Sequence, residues 1–216
     1  MNSTSNISHL NTEEDLNAEL FKLFRKTDSN DISRIIFTGG TSPKCFYKFL
    51  SNNSVDWSKY IVTLSDERDI ETSNHLSNEG MIKSIICNSE FDNIFLSLRN
   101  PETTNILKEV TNYDLCILGM GEDGHFASIF PSMSNIKEAL NTQEPLLNID
   151  DGFPDIKRIS MSLNEIKKSK KIILIIKSKT KLALLKTKRN SDQYLPIDKL
   201  IEECCDRLTI YTHLNE

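Results

Sequence analysis

Apolar residues recur at Leu16, Leu20, Leu23 and Phe24 within residues 12–26, the spacing of one face of an α-helix. Thr12 stands before the run as an N-cap with Asp15 three residues on, so an amphipathic helix is expected to open the fold. The pattern then shortens. Residues 34–37 form a brief apolar run, 38–42 a turn, and 43–50 a helix entered through Pro43, whose missing N–H matters least in a first turn. The same unit repeats, with strands expected at 60–64, 94–98 and 115–118 and helices at 77–87 and 101–110. After a loop region over 131–154, strands are expected at 158–163, 171–176 and 207–211, and helices at 180–188 and 197–204 separate the last two. Alternation on this scale predicts an α/β fold: an open, mostly parallel sheet with right-handed crossovers and helices on both faces. No internal repeat or low-complexity tract interrupts it, and 141–152 carries the weakest pattern.

With 216 residues and 38% hydrophobic content the chain is long enough to bury one sizeable core, and a single domain over 1–216 is expected. Its 26 basic and 31 acidic residues are interspersed and sum to −5, without the basic stripe that tracks a phosphate backbone, so nucleic acid is not an expected partner. The densest basic stretches, 167–171 and 177–189, flank a strand and fill a helix, and read as solvated faces. The cysteines, Cys45, Cys87, Cys116, Cys204 and Cys205, are odd in number and include no C-x-x-C pair. That usage points to a reducing, cytoplasmic compartment rather than to a disulfide or zinc scaffold. Residues 1–10 have neither a basic n-region nor an apolar h-region, and no stretch reaches the roughly 18 apolar residues that a bilayer span needs. A soluble protein without membrane contact is expected.

Three strand ends carry candidate chemistry. Thr38-Gly39-Gly40-Thr41-Ser42-Pro43 lies between a strand and a helix, where backbone N–H groups and hydroxyls converge on an anion. It has neither the Gly-Lys-Ser/Thr of a Walker loop nor a G-x-G-x-x-G fingerprint, and an ordinary Gly-Gly turn with a helix cap is the plain alternative. Ser65-Asp66-Glu67-Arg68 follows the 60–64 strand and sets two carboxylates and a guanidinium at the same sheet edge, suited to phosphate and hydroxyl groups or to a local ion pair. Residues 119–125, Gly-Met-Gly-Glu-Asp-Gly-His, follow the 115–118 strand and end on His125, with Asp123 two residues before it. A loop histidine is either a structural hydrogen-bonding group or an acid/base, and its place outside the carboxyl end of a strand makes it a candidate for the second. Together the three segments suit a small phosphorylated, hydroxyl-bearing substrate.

These segments resemble those of the 6-phosphogluconolactonase family, whose motifs read approximately SGGSTP, DER followed by SN, and GxGxDGHxASLFP. Here they stand as TGGTSP at 38–43, DER at 66–68, SN at 77–78 and GMGEDGHFASIFP at 119–131, in the same order and across almost the whole chain. The resemblance implies a Rossmann-like α/β domain that hydrolyses 6-phospho-D-glucono-1,5-lactone to 6-phosphogluconate in the oxidative pentose phosphate pathway, with no cofactor or metal. It also implies that Gly39, Gly40, Thr41, Ser42, Arg158 and Lys181 bind the substrate and its phosphate. Arg158 opens a segment similar to the family's Arg-(Val/Ile)-Thr-x-Thr, and Lys181 is similar to the lysine of its Gly-x-x-Lys. Ser178 replaces that glycine, Lys177 and Lys179 compete for the register, and the family's tryptophan-bearing carboxyl terminus has no counterpart, since Trp57 is the one tryptophan. The related glucosamine-6-phosphate deaminases read DEY where this chain has Asp66-Glu67-Arg68 and Asn-Glu-Pro where it has Ile129-Phe130-Pro131.

A lactone is an internal ester, so its hydrolysis needs an activated water, a stabilised oxyanion and a proton for the leaving ring oxygen. An unperturbed imidazole pKa of about 6.5 suits the base, which assigns His125 as general base. Arg68 is the candidate to offset charge on the carbonyl oxygen or to bind hydroxyls, and either Asp66 or Asp123 to orient the imidazole. His9, His75, His125 and His213 show no ligand-like clustering, so no metal is expected. Two other readings remain open: a sugar-phosphate isomerase or deaminase, which needs a second acid/base group, and a non-catalytic sugar-phosphate sensor that keeps only the anion cradle. Oligomeric state is not legible in the sequence.

Overall fold

A computed structural model describes residues 7–26, 32–150, 152, 154–187, 189–190 and 193–214. The polar start of the chain at 1–6, residues 151 and 153 of the expected loop and residue 188 of the expected helix lie outside the described residues. In chain order the elements are β1 (Ile7–His9), α1 (Glu13–Lys26), β2 (Ser33–Phe37), α2 (Lys44–Ser51), β3 (Tyr60–Leu64), β4 (Asp66–Arg68), α3 (Asn78–Ile86), α4 (Ser89–Ile94), α5 (Thr103–Glu109), β5 (Leu115–Leu118), α6 (Ile136–Asn141), β6 (Leu146–Ile149), β7 (Arg158–Met161), α7 (Leu163–Ile166), β8 (Ile172–Ile176), α8 (Lys179–Lys186), α9 (Pro196–Cys204) and β9 (Leu208–Thr212).

Among the described residues the strands gather into a parallel sheet in the order β1-β9-β8-β5-β2-β3 and a smaller antiparallel sheet in the order β4-β7-β6. The central strands β5 and β8, Leu-Cys-Ile-Leu and Ile-Ile-Leu-Ile-Ile, are buried at every position, as strands covered on both faces must be. Helix α1 starts where its sequence places the cap: Thr12 Oγ1 accepts the Asp15 N–H and Asp15 Oδ2 accepts the Thr12 N–H, each at 3.0 Å. Its apolar face enters an aromatic cluster in which Phe24 stacks on Tyr60 with ring centroids 4.5 Å apart, beside Phe37, Phe46 and Trp57. No helix among the described residues is long and apolar enough to cross a membrane.

Three expectations need correction. The strand expected at 94–98 is the end of α4 and a single bridge, Phe95 to Val62. The Asn88 side chain accepts the N–H groups of Glu90 and Phe91 and starts a helix there, and Phe91 is drawn into the core against Trp57 at 4.8 Å. The strand expected at 158–163 stops at Met161 and joins the small sheet, because Ser162 caps α7 through the Glu165 N–H. The loop expected over 131–154 contains α6 and β6, the latter recruited by pairing with β7 rather than by any alternation of its own.

Helix α3 depends on a carboxylate from outside it. Glu67 is fully buried, and its oxygens accept the backbone N–H groups of Arg68, Asn78 and Glu79 and the Ser77 hydroxyl at 2.6–2.9 Å. Burial pushes its pKa above the usual carboxylate range, while the hydrogen bonds from Glu79, Asn78, Arg68 and Ser77 draw it back. Replacing Glu67 with Ala leaves buried donors unpaired at the start of α3 and is expected to lower stability by about 3 kcal/mol in urea unfolding. A loss below about 1 kcal/mol would show that water or a shifted backbone replaces the carboxylate.

Candidate active site

The carboxyl ends of β8, β5, β2 and β3 stand side by side, and each releases one of the segments singled out above. Chain order reverses at β2: the chain runs outward to β3, whereas β5 lies on the other flank, which opens the crevice that ligands occupy in open α/β sheets.

From β5, residues 119–125 turn back on themselves, with the Gly121 N–H bonded to the His125 carbonyl at 2.9 Å. The turn brings Asp123 Oδ1 to 2.6 Å from His125 Nδ1, and the same oxygen accepts the His125 backbone N–H at 3.2 Å. A carboxylate at Nδ1 favours the tautomer protonated there and leaves Nε2 as the free lone pair. Gly121 makes room for the pair, since a Cβ there would stand 2.1 Å from His125 Nδ1 and 2.5 Å from Asp123 Oδ1. Behind the loop, the Ile197 N–H at the start of α9 donates to the Gly124 carbonyl at 3.1 Å. Of the two candidates, the carboxylate that meets the imidazole is thus Asp123. Asp66 is engaged elsewhere.

From β2, Thr38 is held by the buried Tyr47 of α2, whose hydroxyl donates to the Thr38 carbonyl at 2.7 Å and accepts its N–H at 3.1 Å. Burial raises the pKa of Tyr47, so it stays a donor. Gly39 packs under the Asn78 side chain, which donates to the Asp66 carbonyl at 3.0 Å; any Cβ at Gly39 would overlap Asn78. Gly40 turns the chain at φ +78°, Thr41 is exposed and Ser42 half-buried. No side chain caps the first turn of α2: the Lys44 N–H turns back to the Thr41 carbonyl at 3.4 Å, and the next N–H groups are of the kind that a helix start offers to an anion.

From β3 the chain passes through Ser65 into β4. Side chains alternate along a strand, so Asp66 and Arg68 share one face of the small sheet with their register partners Ser160 and Arg158, and Glu67 takes the other. Asp66 is buried. Its Oδ2 accepts the Ser128 hydroxyl at 2.7 Å and its Oδ1 lies 3.0 Å from Ser65 Oγ. Arg68 donates through Nη1 to the Leu76 carbonyl and Arg158 through Nη2 to the Pro154 carbonyl, yet the Nε atoms of both are buried without a hydrogen-bond partner among the described residues. Burial and the neighbouring Arg68 lower the pKa of Arg158, with Asp66 opposing. Two guanidiniums facing each other across a strand pair repel, and their unfilled donors suit an anion.

From β8 comes α8, with Ser178 as its N-cap. Lys177 is committed to Glu13 at 2.5 Å, Lys179 is exposed, and Lys181 is half-buried in the first turn with no carboxylate partner among the described residues. No hydrogen bond among the described residues joins the Lys181 side chain to the other candidates. Three residues of the site were passed over in the sequence: Ser128, Ser160 and Tyr47. Ser128 lies inside the 119–131 motif and Ser160 two positions from Arg158 on one strand face, both readable signals; Tyr47 has none beyond its helical phase.

A family model described as glucosamine-6-phosphate isomerases/6-phosphogluconolactonase matches residues 11–209. The chain belongs to this family. Relatives named 6-phosphogluconolactonase include one from Helicobacter pylori, 31% identical over 182 residues that cover 77% of this chain and 78% of that protein. Another, from Caulobacter vibrioides, is 28% identical over 180 residues and 77% of each chain. A solved 6-phosphogluconolactonase from Shewanella baltica superposes over the full length of both chains with a TM-score of 0.84 at 24% identity. One from Thermotoga maritima covers 97% of this chain and 99% of its own with a TM-score of 0.79 at 23% identity. The superpositions bear out the Rossmann-like α/β fold expected of the family.

Gly121 and Gly119 offer a controlled pair, because a Cβ at Gly119 would meet nothing within 4 Å. The downfield Nδ1–H proton resonance of the His125–Asp123 pair is expected to persist in Gly119→Ala and to vanish in Gly121→Ala, with both variants folded. Its survival in Gly121→Ala would mean that the loop reshapes around the methyl without parting the pair.

Proposed function

We propose that this site hydrolyses 6-phospho-D-glucono-1,5-lactone to 6-phosphogluconate, the lactonase step of the oxidative pentose phosphate pathway. The observation that carries the reading is the His125–Asp123 pair, 2.6 Å apart, at the sheet edge that also holds two arginines with unfilled donors. The family membership and the name borne by its relatives support the same substrate.

In this reading His125 Nε2 takes a proton from water as the water oxygen bonds to the lactone carbonyl carbon, and the carbonyl electrons move onto oxygen. Collapse of the tetrahedral species re-forms the C=O bond and breaks the bond to the ring oxygen, which takes the proton back from the imidazolium. Asp123 stays ionised throughout, holding the ring and offsetting the imidazolium charge. Arg68 faces the developing oxyanion or the sugar hydroxyls. The phosphate lies against Arg158, Lys181 and the 39–42 loop at the α2 N-terminus, and Asp66 shapes the floor without exchanging a proton. Lys181 is preferred over its neighbours because Lys177 already holds Glu13.

The test follows acid release from freshly made 6-phosphogluconolactone, corrected for spontaneous hydrolysis, beside ammonia release from glucosamine 6-phosphate. Lactone turnover without ammonia is expected. Ammonia release would favour the deaminase, and phosphate binding with no turnover of either would favour a sensor.

His125→Ala is expected to stay folded and to lose catalysis by about 100- to 10,000-fold, with near-normal turnover contradicting the assignment of the base. Arg158→Ala and Lys181→Ala are expected to raise KM with little change in kcat, because a cation on the phosphate acts alike in ground and transition states. With an unphosphorylated lactone both substitutions should matter little; equal losses on the two lactones would place these residues in the fold or at the reacting centre.

A further inference from the structure

We propose that Phe130 is a positioning residue that fixes the separation between His125 and Arg158, and so matches the site to a substrate whose phosphate and ester carbon are a set distance apart. The inference rests on the lactonase reading above.

One ring touches both groups. The Phe130 centroid lies 4.5 Å from that of the His125 imidazole at an interplanar angle of 50°, and Arg158 Cζ stands 5.4 Å from the same centroid. The backbone is bent to achieve this. Ala127 occupies the left-handed region at φ +48°, Phe126 and Ile129 bridge in antiparallel fashion, and the Ile129 N–H bonds to the Phe126 carbonyl at 3.0 Å. A non-glycine residue held at positive φ persists only where its surroundings over-determine it, and here the bend returns the chain so that residue 130 meets residue 125. The Phe130 N–H is in turn anchored on Met133 Sδ at 3.2 Å. Gly152 packs at the edge of the ring beside Arg158, since a Cβ there would lie 2.8 Å from Phe130 Cε2 and Cζ and 3.1 Å from Arg158 Nε.

The two neighbours depend on the ring to different degrees. His125 has Asp123 at Nδ1, which leaves rotation about that contact to be set by the ring. Among the described residues the Arg158 side chain makes one hydrogen bond, to the Pro154 carbonyl, and its buried Nε has no partner, so the guanidinium takes its lateral position from the aromatic face. Asp66 and Arg68 act on it through charge and do not hold it by a hydrogen bond among the described residues. Loss of the ring therefore frees the base to tilt and the cation to swing, and misplacement of about 1 Å is enough to cost on the order of 100-fold in rate. A substrate anchored at both ends suffers from both movements. One without a phosphate suffers only from the first.

The experiment compares kcat and KM of wild type, Phe130→Leu and Phe130→Met on 6-phosphogluconolactone and on unphosphorylated gluconolactone. Methionine, unbranched and adaptable, fills the place of the ring if leucine fails to fold, and urea midpoints report the fold of each. The preference for the phosphorylated lactone, as a ratio of kcat/KM values, is expected to fall about 10-fold, and to fall no further when the substitution is added to Arg158→Ala. A purely structural role would lower turnover of both lactones equally and leave the ratio untouched, which would overturn the proposal. Should wild type hydrolyse neither lactone, the lactonase reading fails by itself. The positioning role is then judged by the His125 ring-proton resonances and by the affinity for inorganic phosphate: both shift in the variants if Phe130 holds the two groups, and neither does if it does not.

Discussion

Asp66 lies almost out of solvent between the hydroxyls of Ser65 and Ser128, whose hydrogen bonds offset the cost of burying a carboxylate there. Those donors come from different parts of the chain. Ser65 Oγ is also 3.0 Å from Thr38 Oγ1, which reaches the glycine-rich loop after β2, and the Ser128 N–H donates to Ser160 Oγ at 3.1 Å, which reaches β7. The Met161 N–H then returns to the Ser65 carbonyl at 2.8 Å. One buried charge thus ties together the loop that ends β2, the link from β3 to β4, the loop beyond His125 and the strand that begins with Arg158. The glycine-rich loop, the segment that follows His125 and the strands that carry Arg68 and Arg158 are parts of one hydrogen-bonded assembly.

The two aspartates that were equivalent as candidates divide the work by exposure. Asp123, half exposed, stands against the imidazole, and in the proposed reaction it offsets the charge of the imidazolium that forms there. Asp66, buried, accepts hydroxyls on both of its oxygens, makes no hydrogen bond to an imidazole among the described residues, and serves instead as the anchor from which the loops hang. The second anchor is Glu67, one residue on and on the opposite face of β4, which starts α3 and so carries Asn78 over Gly39. Of three consecutive residues, Asp66 and Arg68 therefore serve one side of β4 and Glu67 the other, because strand alternation sends them to opposite faces.

Much of this was legible in the sequence where a single local rule governs. The α1 cap, the buried β5 and β8 runs, and the placing of residues 38–43 and 119–125 just after strands all follow from periodicity and turn chemistry. The motif resemblance added the family. What escaped is what depends on pairing at a distance. β4, β6 and β7 are each three or four residues long and owe their conformation to one another, so no segment announces the small antiparallel sheet by itself. The same is true of 94–98, where apolar residues fit a strand but the Asn88 cap and the Phe91 pocket win. In the site, the choice between Asp66 and Asp123 turned on a 2.6 Å contact that spacing does not encode, whereas Lys177 was removed from contention by Glu13, far away in the chain.

The central claim is that the base and the phosphate site lie at opposite ends of one crevice built on the Asp66 assembly. A crystal structure of the protein soaked with 6-phosphogluconate, the expected product, tests it most directly. The account predicts the phosphate against Arg158, Lys181 and the 39–42 loop, with the newly formed carboxylate within hydrogen-bonding reach of His125 Nε2. Product bound in the reverse sense, with its carboxylate on Arg158, or bound away from the carboxyl ends of β2, β5 and β8, would contradict it.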